Sequence, residues 1–498
     1  MRALRSGTAL IAGVGVAVAF PRPGWSLLLI PALALLFFLL CTAGHPRRGL
    51  WEGGLAGFAC YALLLRWFAA VLLEFTTLGP WVAATAVVLS GVILAIFWAG
   101  IGWLAATWST FVGPGRLLAL CACWFVGAET LRTWVPFPFP WGTFAAAFVD
   151  TPLFFPALAG VGATGVSLYV CGSAAVLAYL VLGFGRTFRV MTFWVVLTAM
   201  IAMVGVVVQS LAGSGRTVSV ALLQGSMNGD EYSAFQRLEV YESLTREAAG
   251  KGAQLVVWPE SATGYQVGEH EGFRRRLEGL SRREDVDLII NSVTRGRHEE
   301  YYNSAVLIRG DRGLTQVRPK RVLVPFGEYL PLRFLLGEIP ALAAEVADFS
   351  RGDKEMSLRA RELKVGALVC YEAIFPALVW DMRSVGAGLL VNMTNDSWFG
   401  WSSGPLQHLA EARLRAAESG LPLVRAANNG ISVIVDRRGR EVGRLSTDER
   451  GVLVADVETG AGWAPGLWVG RVVSGLCATL TLVFLAVTLM VRPRDEHA

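Results

Sequence analysis

Long apolar runs fill the first part of the chain and return once near its end. Because a membrane-spanning helix needs about 20 mainly apolar residues, these runs predict seven helices over residues 1–212 and an eighth over residues 466–491. The seven candidates lie near residues 6–20, 25–43, 50–73, 80–111, 117–135, 155–182 and 190–211. The pattern therefore predicts a polytopic α-helical membrane domain with about eight spans.

Between residues 216 and 460 the pattern changes to short runs rich in Val, Ile and Leu, separated by amphipathic segments. Such runs predict strands, and apolar residues three and four positions apart predict helices over 233–250 and 406–420. The predicted strands are 218–223, 255–258, 288–291, 305–308, 365–369, 389–392, 421–425 and 432–435. Alternation of this kind is typical of one α/β domain.

Basic residues predict how the spans are oriented, since Lys and Arg collect beside the cytoplasmic ends of membrane helices. With eight spans, the flanking arginines all fall on one side of the membrane. They are Arg2, Arg5, Arg47, Arg48, Arg116, Arg186, Arg189, Arg492 and Arg494. Both termini are then cytoplasmic, and the α/β domain faces outward.

Composition agrees with a membrane protein and excludes several function classes. The 498 residues are 54% hydrophobic and only 17% charged, whereas soluble domains carry about 25% charged residues. The net charge of +5 is explained by the residues beside the spans, so no nucleic-acid partner is expected. The five His residues show no metal-ligand spacing, and we expect neither a metal nor a cofactor.

One cysteine differs from the other six. Cys370 follows the predicted strand 365–369 and precedes Tyr371 and Glu372, whereas the others lie in apolar runs. A thiol at a strand end is placed as a nucleophile, and the N–H of Tyr371 then faces a developing oxyanion. The alternative is a buried cysteine that acts only as a small apolar side chain.

Two charged residues also stand at strand ends, in apolar surroundings. Glu260 comes after Leu-Val-Val-Trp-Pro, where burial would raise its pKa towards that of a general base; capping a following helix is the alternative. Lys320 stands between Arg318 and Arg321. Its ammonium would stabilise a thiolate and an oxyanion, unless the three residues form only a solvated basic cluster.

The segments around these three residues resemble the Glu-Lys-Cys motifs of the nitrilase, or carbon-nitrogen hydrolase, superfamily. Asn-Asp-Ser-Trp-Phe-Gly at 395–400 and Arg-Ala-Ala-Asn-Asn-Gly at 425–430 extend the match. Together with the predicted spans, the chain resembles the bacterial apolipoprotein N-acyltransferase family over nearly its whole length. The three motifs are Trp258-Pro259-Glu260, Lys320 with Leu-Val-Pro-Phe-Gly-Glu328, and Cys370-Tyr371-Glu372.

The resemblance implies an αββα sandwich over residues 216–460 and acyl transfer in two steps. It implies that Cys370 attacks an ester carbonyl of a phospholipid, that Glu260 takes the thiol proton, and that Lys320 with the Tyr371 N–H holds the oxyanion. The thioester would then acylate the α-amine of the N-terminal diacylglyceryl-cysteine of an apolipoprotein. Glu328 and Glu372, like Tyr371, are implied to support the site or contact substrate.

The resemblance also implies a multi-pass protein of the cytoplasmic (inner) membrane, with its catalytic domain facing the periplasm. Two other functions stay open from the residues alone. A membrane-anchored nitrilase-type amidohydrolase would use the same triad with water as the acceptor. A lipoprotein-binding scaffold would have lost its chemistry, although all three reactive residues are present.

Overall fold

The structure is a computed structural model of the 498-residue chain. It describes residues 2–20, 24–75, 79–152, 154–183, 187–211, 215–227, 231–331, 333 and 347–490. Arg186, Arg492, Arg494 and the predicted boundaries at residues 1, 212 and 491 lie outside these residues. The chain divides into two compact units. One comprises residues 1–207, 401–410 and 465–498, and the other comprises residues 208–400 and 411–464.

Helices form the first unit, and each predicted apolar run overlaps at least one. In chain order they are α1 (Arg2–Val18), α2 (Leu29–Cys41), α3 (Pro46–Leu64), α4 (Trp67–Phe75), α5 (Pro80–Trp108), α6 (Pro114–Leu131), α7 (Phe155–Val181), α8 (Thr187–Ser210) and the C-terminal helix Gly466–Met490. Among the described residues, four are long and apolar enough to span a membrane: residues 80–108, 155–181, 188–208 and 466–490. The count of about eight spans therefore stays a prediction.

The predicted single helix over 50–73 is wrong in one respect, because the chain breaks between α3 and α4. The two helices meet at a bend of 46° and pass the test for a span only as a pair. Leu65 leaves the helical conformation at φ −97° and ψ 14°, and the next residue, Arg66, is exposed. A charged side chain at this point lies beside the break in an otherwise apolar run.

Small residues let α3 and α5 approach closely. A Cβ atom on Gly53 would lie 2.3 Å from the carbonyl oxygen of Trp98, and one on Gly49 would lie 2.1 Å from that of Gly102. No side chain fits at such distances, so glycine is required at both positions of α3. Within a lipid bilayer the hydrophobic effect does not drive helices together, so close backbone contact of this kind stabilises their association instead.

The second unit contains two six-stranded sheets. The first has the order β12-β1-β2-β3-β4-β5 and the second the order β11-β10-β9-β8-β7-β6. The strands are β1 (Thr217–Gln224), β2 (Leu255–Val257), β3 (Asp287–Arg295), β4 (Tyr301–Arg309), β5 (Gly313–Pro319), β6 (Leu358–Ala360), β7 (Leu363–Val369), β8 (Leu389–Thr394), β9 (Leu423–Ala427), β10 (Ser432–Val435), β11 (Glu441–Leu445) and β12 (Gly451–Glu458).

Each sheet has a parallel centre and antiparallel flanks. Strands β1, β2 and β3 run parallel, as do β7, β8 and β9, and every other pairing is antiparallel. In the part of the chain that the structure describes, the helices that accompany them are α9 (Ala234–Gly250), α10 (Glu271–Arg283), α11 (Pro376–Ser384) and α12 (Gly404–Ser419). The nitrilase-like fold expected for this region, with mixed sheets, is confirmed.

Apolar side chains hold these layers together. One buried cluster lies between the sheets and joins Leu222 and Val257 of the first to Val369 and Val391 of the second. A second cluster packs the outer face of the first sheet against α9 and α10. On the outer side of the second sheet, Gly366 lies against Met382 of α11. The side chains of each strand alternate between the cluster that lies between the sheets and the helix-covered outer face, because successive side chains point to opposite faces of a sheet.

All eight predicted strands are present, but four further strands escaped prediction. They are β5, β6, β11 and β12, which are short or carry many polar and half-exposed residues. Helix α9 begins as its sequence indicates. The Ser233 hydroxyl accepts from the Gln236 N–H, and the Gln236 side chain accepts from the Ser233 N–H, a pairing that satisfies two otherwise unpaired donors of the first turn.

Candidate active site

Glu260 lies just beyond the end of β2, and only 6% of the residue is exposed. Its Oε1 accepts from the side-chain amide of Asn303 at 3.1 Å, and its Oε2 accepts from the N–H of Asn395 at 3.2 Å. The capping alternative is wrong, because the next helix of the described chain begins at Glu271. Burial raises the pKa of the Glu260 carboxyl above its ordinary value, although Lys320 opposes this rise.

Lys320 follows β5 and is 1% exposed, so it is not part of a solvated basic cluster. Its Nζ donates to Glu328 Oε1 at 2.8 Å and lies 4.0 Å from Glu260 Oε1. Burial alone would lower the pKa of the ammonium. The carboxylates of Glu328 and Glu260 outweigh burial and hold that pKa above its ordinary value, so Lys320 stays a cation.

Glu328 and Asn303 complete this cluster. Glu328 Oε1 accepts from Lys320 and, at 2.7 Å, from the Asn303 amide, while its Oε2 accepts from the Val324 N–H at 2.8 Å. Asn303 therefore bridges the carboxyl groups of Glu260 and Glu328. Sequence reasoning missed Asn303; the only signal was a polar residue at the start of an otherwise apolar strand.

Cys370 directly follows β7 and has a left-handed backbone, with φ +49°. This conformation is uncommon for a residue other than glycine and costs about 1–3 kcal/mol, which the surrounding structure must offset. The Asn392 amide donates to the Cys370 carbonyl at 3.2 Å, and the Thr394 hydroxyl lies 3.5 Å from Sγ. Side chains of β8 therefore contact both the backbone carbonyl and the sulfur of Cys370.

The Cys370 thiol and the Glu260 carboxyl also interact, and each shifts the pKa of the other. Burial is the main cause that raises the pKa of the thiol, the charge of Glu260 raises it further, and Lys320 lowers it. The resting sulfur is therefore protonated at neutral pH, and it needs a base before it can act as a nucleophile. Glu260, the buried carboxyl that interacts with the thiol, is the candidate base for that proton.

Glu372 is fully buried but contacts the neighbours of Lys320 rather than its ammonium. It pairs with the guanidinium of Arg318 and accepts from the Arg321 N–H at 2.7 Å. Its other oxygen accepts from the Val369 N–H at 2.9 Å. Glu372 thus links the backbone before Cys370 to the residues on both sides of Lys320.

Tyr371 lies in the short turn Cys370–Ile374 and is buried. Its ring packs edge-on against Phe375, with the ring centres 5.0 Å apart. The ring contact anchors the turn that holds Cys370. The role of the Tyr371 N–H as an oxyanion donor stays a prediction.

The three reactive side chains predicted from separate segments therefore converge. A carboxyl with raised pKa, a buried ammonium and a thiol at a strained strand end are the components of nucleophilic acyl transfer. Such a set activates the sulfur during attack and stabilises the negative charge that develops on the substrate carbonyl.

Comparison with known proteins establishes the family to which the chain belongs. A model of the carbon-nitrogen hydrolase family matches residues 219–462, and a model of the apolipoprotein N-acyltransferase N-terminal domain matches residues 12–176. An apolipoprotein N-acyltransferase of Geobacter metallireducens is 33% identical over 472 residues, which cover 91% of this chain and 89% of that protein. The chain belongs to the apolipoprotein N-acyltransferase family.

A second apolipoprotein N-acyltransferase, from Shewanella oneidensis, is 31% identical and covers 93% of this chain and 92% of its own length. Among solved structures, an amidase from Nesterenkonia sp. is 24% identical with a TM-score of 0.39, over 50% of this chain and 93% of that one. Membership of the apolipoprotein N-acyltransferase family makes the chain an acyltransferase that carries a nitrilase-like domain. The amidohydrolase alternative is not supported.

Proposed function

We propose that this chain moves an acyl chain from a phospholipid, through a thioester on Cys370, to the α-amine of the N-terminal diacylglyceryl-cysteine of apolipoproteins. The observation that carries the proposal is the convergence of three segments: the Glu260 carboxyl lies 4.0 Å from the Lys320 ammonium, and the charges of both residues act on the Cys370 thiol. The relatives are named apolipoprotein N-acyltransferases, which supports lipoprotein and phospholipid substrates. No cofactor is required by this chemistry.

In the first step Cys370 Sγ attacks the ester carbonyl of the phospholipid. Glu260 takes the thiol proton, and the negative charge moves to the carbonyl oxygen, where Lys320 and the Tyr371 N–H stabilise it. The ester C–O bond then breaks. The proton held by Glu260 passes to the departing lysophospholipid oxygen, and the acyl group remains as a thioester.

In the second step the α-amine of the acceptor attacks the thioester carbonyl. Glu260 takes a proton from the amine, the C–S bond breaks, and that proton passes from Glu260 to the released sulfur. In this scheme Glu328 keeps Lys320 in place, and Glu372 holds the two strand ends that carry Lys320 and Cys370. Lys320 and Glu260 are almost completely buried, which supports exclusion of water while the thioester waits for an amine.

The remaining expectations concern the membrane. We propose that residues 1–212 and 466–491 form the membrane domain, with seven helices and one, and that residues 216–460 form the catalytic domain. The apolar helices support a multi-pass protein. The one-sided arginines support the cytoplasmic (inner) membrane with the catalytic domain in the periplasm, which would supply both acylated substrates from the same lipid phase.

The experiment is intact mass of the purified full chain after incubation with phospholipid vesicles, followed by a diacylglyceryl-cysteine peptide. Wild type should gain one acyl group and pass it to the peptide amine, whereas Cys370→Ala should gain none. Cys41→Ala is the matched control, since Cys41 ends α2 and is also a half-buried cysteine; it should behave as wild type. An adduct released only to water would overturn transfer, and absence of an adduct on wild type would overturn the thioester.

A further inference from the structure

Thr394 is the last residue of β8, beside the site but unused by the mechanism so far. Strands β7 and β8 are parallel, with Val369 paired to Met393, so the next residue of each strand lies at the same sheet edge. Thr394 is completely buried. Its Oγ1 lies 3.5 Å from Cys370 Sγ and 3.1 Å from Asp396 Oδ1. A hydroxyl has one proton, so it donates to only one of these two acceptors at a time.

The second acceptor is held in place without help from Thr394. Both oxygens of Asp396 accept from Arg425 Nη2, at 2.8 and 2.9 Å, and both side chains are fully buried. Arg425 also donates to the Asn392 side chain, whose amide holds the Cys370 carbonyl. The carboxylate therefore keeps its partner whichever way the Thr394 hydroxyl turns, and the hydroxyl is free to follow the charge on sulfur.

We infer that Thr394 is a further catalytic residue whose hydroxyl donates to Cys370 sulfur when the sulfur is negatively charged, and to Asp396 when it is not. The proton stays on the Thr394 oxygen throughout; only its acceptor changes. Donation to a charged sulfur is about twice as strong as donation to a neutral thiol, whereas the charge of Asp396 is shared with Arg425 throughout. Formation of the thiolate therefore shifts the preference of the hydroxyl from Asp396 towards sulfur. The inference rests on the proposed function of Cys370 as the nucleophile.

Two moments of the reaction put charge on sulfur. One is the attack on the phospholipid ester, as Glu260 removes the thiol proton, and the other is the departure of sulfur from the thioester. Neither the resting thiol nor the thioester is charged, so the Thr394 contact strengthens mainly as the reaction proceeds. Interactions that strengthen only in the transition state raise the rate rather than the affinity for substrate.

The test compares Thr394→Val, which replaces the hydroxyl by a methyl group of similar size, with Thr394→Ser, which keeps it. The control is Thr459→Val, the same change at a buried threonine whose hydroxyl donates to the Arg216 carbonyl instead. At saturating phospholipid, Thr394→Val should form the acyl adduct about ten to a hundred times more slowly. Thr394→Ser should stay within about threefold of the wild-type rate. Thr459→Val should form the adduct at the wild-type rate.

A second readout separates catalysis from structure. The pH profile of Cys370 alkylation by iodoacetamide, followed on the Cys370 peptide by mass, should move to higher pH in Thr394→Val, because the thiolate loses a donor. Glu260, Lys320 and Asp396, the charged groups that act on the sulfur, are kept in every variant. A merely structural defect would lower the amount of adduct formed and leave both the rate and the alkylation midpoint unchanged.

The two proposals fail in different ways. Thr394→Val with the wild-type rate and alkylation midpoint would overturn the role of Thr394 and leave the Cys370 mechanism intact. Absence of an acyl adduct on wild type would overturn the proposed function. The alkylation midpoint would then still decide whether the Thr394 hydroxyl stabilises the Cys370 thiolate, since alkylation requires no acyl donor.

Discussion

Two buried charge clusters lie side by side in the catalytic unit and differ in balance. The Lys320 cluster has one cation for two carboxyl groups. The Arg318 cluster has two cations for two buried carboxyl groups, and the partly exposed Asp381 pairs with Arg321 at its edge. The Lys320 cluster consists of Glu260, Asn303, Lys320 and Glu328. The Arg318 cluster consists of Arg318, Arg321, Glu355 and Glu372. The excess carboxyl of the first cluster leaves Glu260 ready to accept a proton.

The difference in charge balance indicates that the Lys320 cluster serves the reaction and that the Arg318 cluster stabilises the fold. A buried carboxyl that shares its only cation with a second carboxyl has a raised pKa and serves as a base. Matched charges in the Arg318 cluster hold backbone segments instead, since Glu372 joins the residues beside Lys320 to the residue before Cys370. Changes in the first cluster should therefore alter the reaction, and changes in the second should alter stability.

The largest effect is expected from Lys320→Met. The variant removes the charge opposite the developing oxyanion, and loss of such a group costs about 10²–10³ in rate. The two carboxyl groups left behind respond by binding a proton, so the fold should survive. Adduct formation, followed by intact mass, measures the rate, and the apparent melting temperature measures the stability of the fold. Lys354→Met, at an exposed lysine, is the control, and near-normal adduct formation by Lys320→Met would contradict the comparison.

Arg318→Met should act on stability. Arg318 is completely buried, and its removal leaves Glu355 and Glu372 with too little positive charge. Breaking a buried pair in this way costs about 3–5 kcal/mol, seen as a fall in the apparent melting temperature. The double variant Arg318→Met with Glu372→Gln should recover part of the loss, because it removes one of the stranded charges. An unchanged melting temperature in the single variant would show that the clusters do not differ as described.

Glu328→Gln should shift the pH dependence of the rate. Burial is the main cause that raises the pKa of Glu260, and the negative charge of Glu328 raises it further. Removing that charge lowers the pKa of Glu260, so its basic form persists to lower pH. The acid side of the profile of kcat/KM should therefore move to lower pH. A shift to higher pH would mean that Glu328 acts on Glu260 in the opposite sense.

The smallest effect is expected from Lys251→Gln, at the residue that follows α9. Lys251 pairs with Glu247 at 2.7 Å, but each side chain is 49% exposed. Pairs of this kind contribute about 0.3–0.5 kcal/mol. Melting temperature and adduct formation should both stay at the wild-type value. A marked loss in either would mean that exposed ion pairs, and not only the two buried clusters, matter in this protein.

Glu260 and Cys370 were predictable from the sequence because each follows an apolar strand. Lys320 follows the polar strand β5, which was not predicted, and it was found through its position before an apolar segment and through its family motif. The structure brings the three residues together. Asn303 and Thr394 were not predictable. They are ordinary polar residues in strands, and their contacts depend on how two sheets and the register of β7 and β8 align distant segments.

The secondary structure was also predictable only in part. Strands buried on both faces have continuous apolar runs that predict them, whereas the edge strand β11 has the polar, half-exposed sequence Glu441-Val-Gly-Arg-Leu445. The break between α3 and α4 was missed because hydropathy alone does not distinguish a straight helix from a bent pair. In each case the missing information is a long-range contact rather than a local preference.

The pairing of β1 with β12 has a consequence for biosynthesis. Thr217 lies opposite Glu458, and Gln224 lies opposite Gly451, so one side of the first strand stays open until about 240 more residues have been made. At roughly 5–20 residues per second, that edge is uncovered for about 10–50 s. An unpaired strand edge is a template for wrong partners. The nascent domain thus has a prolonged period in which protection by a chaperone would matter most.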